Sequence, residues 1–210
     1  MARRVRAYIG LGANVGDAET TLRAAVQALA ALPGASLVGV SRLYATAPVG
    51  VVDQPEFRNA VVALDVPASP DPATGATALL VALKGLERAF GRKTRERWGP
   101  RELDLDLLIF GRARLSIERP AAGKSLDAPV DPGKAIKLLE VPHPLARERL
   151  FVLAPLADLA PRLVPPDWNE SVETARRRAL SVEGPTVVRP IGEWSAATKD
   201  WISARERVSR

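Results

Sequence analysis

Leu103-Asp-Leu-Asp-Leu-Leu-Ile-Phe110 is the segment on which the reading of this chain turns. Leucine and aspartate alternate at its start and β-branched and aromatic residues follow, so it reads as a strand. Successive side chains on a strand point to opposite faces, which puts Leu103, Leu105 and Leu107 on one side and Asp104 and Asp106 together on the other. At ~3.3 Å rise per residue the two aspartate Cα atoms stand about 6.6 Å apart, close enough for their oxygens to share hard divalent cations such as Mg²⁺. A solvated acidic face on an amphipathic strand has the same pattern. The preceding residues favour the metal. From Arg88 to Arg101 there are six basic side chains (Arg88, Arg92, Lys93, Arg95, Arg97, Arg101) against the single acid Glu96, with Trp98-Gly99-Pro100 as an aromatic turn. Guanidinium forks beside a carboxylate pair are what a polyphosphate with bound Mg²⁺ requires. A basic loop alone equally suits nucleic acid, and that alternative stays open at this point.

Working outward, Val5-Arg-Ala-Tyr-Ile-Gly-Leu-Gly12 predicts a first strand, and Leu22, Ala25, Val26, Leu29 and Leu32 mark a helix stopped by Pro33-Gly34. Ser36–Ala47 predicts a second strand, Pro48–Pro55 a loop, and Phe57–Val66 a third strand. A second helix carries Leu79, Leu83, Leu86 and Phe90 before Gly91. With the aspartate strand this gives the order β-α-β-β-α-β, that of a ferredoxin-like α+β layer: a mostly antiparallel sheet with helices packed on one side. Residues 112–137 lack sustained periodicity and predict a surface insertion, and Leu145–Ala160 predicts a further helix. Residues 1–166 are expected to form the domain and 167–210 a C-terminal helical extension packed on it. Within that extension Trp194, Ala197, Trp201, Ala204 and Val208 fall at helical spacing.

The chain has 210 residues, 47% hydrophobic and 26% charged, with 30 basic against 24 acidic residues, so it can bury a core and favours an anionic partner. Without cysteine it has no disulfide, thiolate-bound metal or thiol nucleophile, and with His143 as its one histidine no two-histidine metal site is possible. No apolar run approaches the ~20 residues of a membrane span and no signal peptide pattern follows Met1, so a cytoplasmic location is expected. Gly10-Leu-Gly12-Ala-Asn-Val-Gly16 imitates a dinucleotide fingerprint with its spacing wrong by one, and Gly123-Lys124-Ser125 ends like a phosphate loop but lacks the glycine five residues earlier.

Taken together, these stretches resemble the 6-hydroxymethyl-7,8-dihydropterin pyrophosphokinases of the folate pathway. The resemblance is carried by Ala7–Asp17, Ser41-Arg-Leu-Tyr-Ala-Thr46, Asp53-Gln-Pro-Glu-Phe-Arg-Asn-Ala60, Gly91-Arg92, Arg97–Leu108 and Val141-Pro-His-Pro144 through Phe151-Val-Leu153, in family order. It implies transfer of pyrophosphate from ATP to the pterin hydroxymethyl oxygen with release of AMP, on a ferredoxin-like fold acting as a monomer, without nucleic-acid or membrane partners. By the same resemblance Asp104 and Asp106 would hold two Mg²⁺ ions, and Arg92 and Arg101 would contact the triphosphate. Phe57 and Phe151 would sandwich the pterin ring, Asn59 would hydrogen-bond it, and Thr46, Pro48 and Val49 would border its edge. Glu87, Trp98, His143 and Arg149 would surround the nucleotide. Lys84, Thr94 and Leu145 depart from the family pattern, which commonly has glutamine, arginine and arginine there.

Overall fold

The computed structural model describes residues 3–48, 53–92, 99–120 and 136–203. Strand β1 (Arg4–Ala13) runs through the middle of the sheet, between β5 (Asp104–Phe110) and β4 (Phe57–Pro67), antiparallel to both. Helix α1 (Ala18–Ala30) starts where the Asp17 carboxylate accepts the Thr20 N–H (3.0 Å) and buries Leu22, Ala25, Val26 and Leu29. Helix α2 (Pro72–Ala89) is capped by Asp71, which accepts from Ala73 and Thr74, with Pro72 in the first turn where its missing N–H costs nothing. Both helices pack on one face of the sheet, over Ala7, Ile9, Leu11, Val62, Leu64, Leu103, Leu105 and Leu107.

The strand expected over Ser36–Ala47 is two strands, β2 (Ser36–Val40) and β3 (Leu43–Thr46), both paired with β4. The break is at Ser41, whose hydroxyl accepts the Val61 N–H (2.9 Å) and donates to the Arg42 carbonyl (2.7 Å), so a side chain stands in for one rung of the ladder. The ends of the 112–137 stretch, expected to be unpatterned, form a two-stranded ribbon of β6 (Leu115–Glu118) and β7 (Lys137–Val141); residues 121–135, with Gly123-Lys124-Ser125, lie outside the described residues.

Helices α3 (Leu150–Leu159) and α4 (Val172–Glu183) lie on the opposite face from α1 and α2. There Leu150, Leu153, Leu156, Val172, Ala175 and Ala179 bury Tyr8, Tyr44, Val61, Ala63 and Leu108. The sheet is therefore covered on both sides, where helices on one side were expected.

The expected helix through Trp194 and Trp201 is instead a hairpin of β8 (Val188–Ser195) and β9 (Asp200–Ser203); Ala204 and Val208 lie outside the described residues. Trp194 and Trp201 face each other across it, ring centroids 4.8 Å apart in an edge-on contact. A spacing of seven residues matches two helical turns, but here it matches two arms of a turn in which Lys199 takes a left-handed backbone. β8 pairs with β3, so the hairpin completes a sheet ordered β5-β1-β4-β3-β8-β9. The α+β class and the antiparallel sheet stand as expected, whereas the extension is one helix and a hairpin.

Candidate active site

β5 is an edge strand that carries both carboxylates, and its register with β1 sets what lies beside them. Asp104 is paired with Gly12 and Asp106 with Gly10. Gly12 is in turn paired with Asn59 on β4. Paired residues share a face, so Asp104, Gly12 and Asn59 form one row across three strands, about 10 Å from end to end, with no side chain at its centre. A Cβ on Gly12 would stand 3.2 Å from Asn59 Oδ1, so glycine keeps this floor open. Phe57, Asn59 and Val61 alternate onto that same face.

Asn59 Nδ2 donates to Thr46 Oγ1 (2.9 Å), and both residues are buried. Pro48 and Phe57 are half-buried nearby in sequence. Phe151, in the first turn of α3, packs at the border of the second core, and the Arg149 guanidinium sits 5.6 Å from its ring centroid, within cation–π range. The His143 backbone N–H donates to the Leu108 carbonyl (2.8 Å), fixing that loop to β5, while its Nδ1 accepts the Leu145 N–H (3.3 Å). Val49, Trp98 and Thr94 lie outside the described residues.

The cationic side of the site is organised by Glu87 of α2. Its Oε1 accepts from Lys84 Nζ (2.6 Å), from Arg92 Nη1 (2.7 Å) and from the Leu105 N–H (2.7 Å). Lys84 Nζ also donates to the Leu105 carbonyl (3.0 Å), so both backbone groups of Leu105 on this edge strand are satisfied by α2. Arg92 Nη1 further contacts Asp104 Oδ1. Burial pushes the Glu87 carboxyl above its ordinary range against the pull of Lys84; for Lys84, burial works downward but Glu87, Asp106 and Asp104 hold the ammonium above its usual value. Glu87, expected among the nucleotide contacts, is only 2% exposed and sits behind the strand, so it acts by holding Arg92 and β5 and is not open to a nucleotide. Lys84, read from sequence as a departure, is the counter-charge of this cluster.

Arg101 leads into β5. Its backbone is held on both sides by Asn14, whose Oδ1 accepts the Arg101 N–H (2.7 Å) and whose N–H donates to the Arg101 carbonyl (3.0 Å). Among the described residues, buried Arg101 Nη1 has no hydrogen-bond partner. A cationic donor left in that state is suited to an incoming anion. Asn14 and Gln54 were missed as site residues by sequence reasoning; the one signal was a polar amide amid small residues at the end of the first strand.

The arrangement is thus a carboxylate pair with Arg92 on Asp104 and Arg101 three residues before it, at one end of a row that has a buried amide at the other. The family model for 7,8-dihydro-6-hydroxymethylpterin-pyrophosphokinase matches residues 8–161. The chain is 42% identical over 159 residues to the 2-amino-4-hydroxy-6-hydroxymethyldihydropteridine pyrophosphokinase of Methylorubrum extorquens, covering 76% of this chain and 85% of the relative. To the enzyme of the same name from Pseudomonas aeruginosa it is 41% identical over 168 residues, covering 80% and 88%. Among solved structures it is similar to Plasmodium falciparum HPPK-DHPS with pterin and p-hydroxybenzoate, with a TM-score of 0.70 at 14% identity, over 98% of this chain and 49% of that one. The likeness there is of fold, and the chain spans about half of that longer protein.

Proposed function

This chain belongs to the 7,8-dihydro-6-hydroxymethylpterin-pyrophosphokinase family and is an ATP-dependent diphosphokinase of folate biosynthesis, and we propose that the row from Asp104 to Asn59, with Arg92 and Arg101, is where it works. It transfers pyrophosphate from ATP to 6-hydroxymethyl-7,8-dihydropterin, giving AMP and the pterin diphosphate. What supports the placement is the register that sets two carboxylates and a buried amide about 10 Å apart on one face of the sheet. In this reading Asn59, held by Thr46, hydrogen-bonds the pterin edge beside Pro48 and Val49, and Phe57 and Phe151 lie against its two faces. A flat heterocycle gains area from two rings and specificity from one amide. Arg92 and Arg101 neutralise the triphosphate, with Trp98, His143 and Arg149 around the nucleotide.

Asp104 and Asp106 would hold Mg²⁺, two ions in this reading. The donor set fits: Mg²⁺ takes one or two carboxylates and completes its shell with phosphate oxygens and water, so no third protein ligand is needed. Among the described residues no cluster of three or more metal-ligating side chains occurs. When bound, the metal supplies charge neutralisation on the phosphates and a more acidic hydroxyl. This reading assigns no side chain the role of general base. The residues act by holding the pterin oxygen in line with the phosphorus and by meeting the charge that develops on the departing AMP. Residues 1–166 would form the catalytic domain and 167–210 an extension packed on it, in a cytoplasmic monomer. No described helix is long and apolar enough to cross a membrane.

The test is AMP release from ATP and the reduced hydroxymethylpterin with and without Mg²⁺. Asp104→Asn and Asp106→Asn are each expected to lower kcat at least a hundredfold, with the circular dichroism spectrum unchanged. Near-normal AMP production by either variant would remove Asp104 and Asp106 from the reaction.

A further inference from the structure

We propose that Asn14 is a positioning residue that ties the pterin side of the site to its triphosphate side. The inference rests on the reading above, which gives Arg101 to the triphosphate and Phe57 and Asn59 to the pterin. Asn14 is the first residue after β1, and β1 lies between the two strands that carry the two sides. It is 2% exposed, and its side-chain amide uses both of its ends. Oδ1 accepts the Arg101 N–H (2.7 Å), three residues before Asp104. Nδ2 donates one hydrogen to Gln54 Oε1 (2.9 Å) and the other to the Pro55 carbonyl (3.0 Å), two residues before Phe57. One buried amide therefore joins the lead-ins of both flanking strands. Neither segment can shift without breaking a hydrogen bond to the buried Asn14 amide, and a buried amide left unpaired is costly.

Because donors and acceptor serve different sides, they can be separated by substitution. Asn14→Asp keeps the acceptor for Arg101 but loses both donations toward Gln54 and Pro55. Titration calorimetry with Mg²⁺ and a non-hydrolysable ATP analogue should then show pterin affinity about tenfold weaker, with affinity for the analogue within twofold of the parent. Asn14→Ala should weaken both and lower kcat. Gln54→Ala, which leaves Asn14 and its bond to Arg101 in place, should weaken pterin severalfold and serves if the Asn14 variants do not fold. Parent-like pterin affinity in Asn14→Asp, or in Gln54→Ala where the Asn14 variants do not fold, would overturn the proposal. So would an equal loss for pterin and analogue in Asn14→Asp, the mark of general loosening. If the parent protein itself releases no AMP, the functional reading fails and the proposal with it; an active parent with unaffected variants defeats the proposal alone.

Discussion

Glu87 Oε1 receives an ammonium, a guanidinium and a backbone N–H at once, while the carboxyl is almost sealed from water. A buried charge is tolerable only when it is paired and hydrogen-bonded, and here that requirement also fixes the edge strand between the two aspartates. Arg92 is 8% exposed and shared between Glu87 and Asp104. On the proposed reading, in which Asp104 binds a metal and Arg92 a phosphate, their contact would be exchanged for contacts with substrate while Glu87 keeps its hold on Arg92. Glu87→Gln retains an acceptor for the Leu105 N–H but removes the charge that Lys84 and Arg92 share. The expected result is a fall in kcat of at least tenfold, with a melting temperature a few degrees lower. Steady-state kinetics beside thermal denaturation would check it; an unchanged kcat would show that Arg92 is positioned by something else.

Among the elements, α4 shows how local chemistry fixes a helix that the sequence pattern only outlines. Ser171 Oγ accepts the Thr174 N–H (3.1 Å), Glu173 stands in the first turn where the helix dipole favours an anion, and Gly184 ends the helix at positive φ. Arg176, and then Arg177, hold the Glu173 carboxyl down to about 2, from an ordinary 4.5. A depressed carboxylate contributes stability that is present above pH 4.5 and is lost as the pH falls toward 2. Since the Glu173 side chain is 27% exposed, solvent screening leaves a contribution of about 1 kcal/mol. Glu173→Gln should therefore cost about 1 kcal/mol in urea unfolding at pH 7, and the gap from the parent should close progressively as the pH falls from 4.5 toward 2. A gap that stays constant across that range would assign the effect to packing. The hairpin is the opposite case: its residues satisfy a helical spacing, and only pairing with β3, over 140 residues earlier in the chain, decides for strands.

For the molecule as a whole, what was legible follows the range of the interaction. β1, α1, β4, α2 and β5 each carry their own period and stop signal, so their order and the ferredoxin-like layer could be read directly. Asp104 and Asp106 share a face because a strand has period two, and that too is local. The Asp104–Gly12–Asn59 row needs the register of three strands far apart in the chain, and the bridge through Asn14 needs two loops to meet; neither leaves a local trace. The side on which α3 and α4 pack was equally hidden, because an amphipathic stripe says that a face is buried but not against what.

The same long-range pairing makes the extension part of the fold. β8 covers the edge of β3, Trp201 Nε1 donates to the Ser41 carbonyl (2.9 Å), Asp200 pairs with Arg23 of α1, and Trp168, Val172, Ala175, Ala179 and Val188 complete the core beneath α3. The full chain should accordingly unfold in one cooperative transition followed alike by fluorescence and circular dichroism. Ending the chain after Glu183 removes the hairpin and bares Leu43–Thr46 as an open edge in the strand that carries Thr46, the partner of Asn59. An unpaired edge invites pairing with another chain. That truncation should melt several degrees lower and self-associate in light scattering at concentrations where the full chain does not. A truncated protein equally stable and equally dispersed would mean that the sheet as far as β3 is sufficient and that β8 adds only surface.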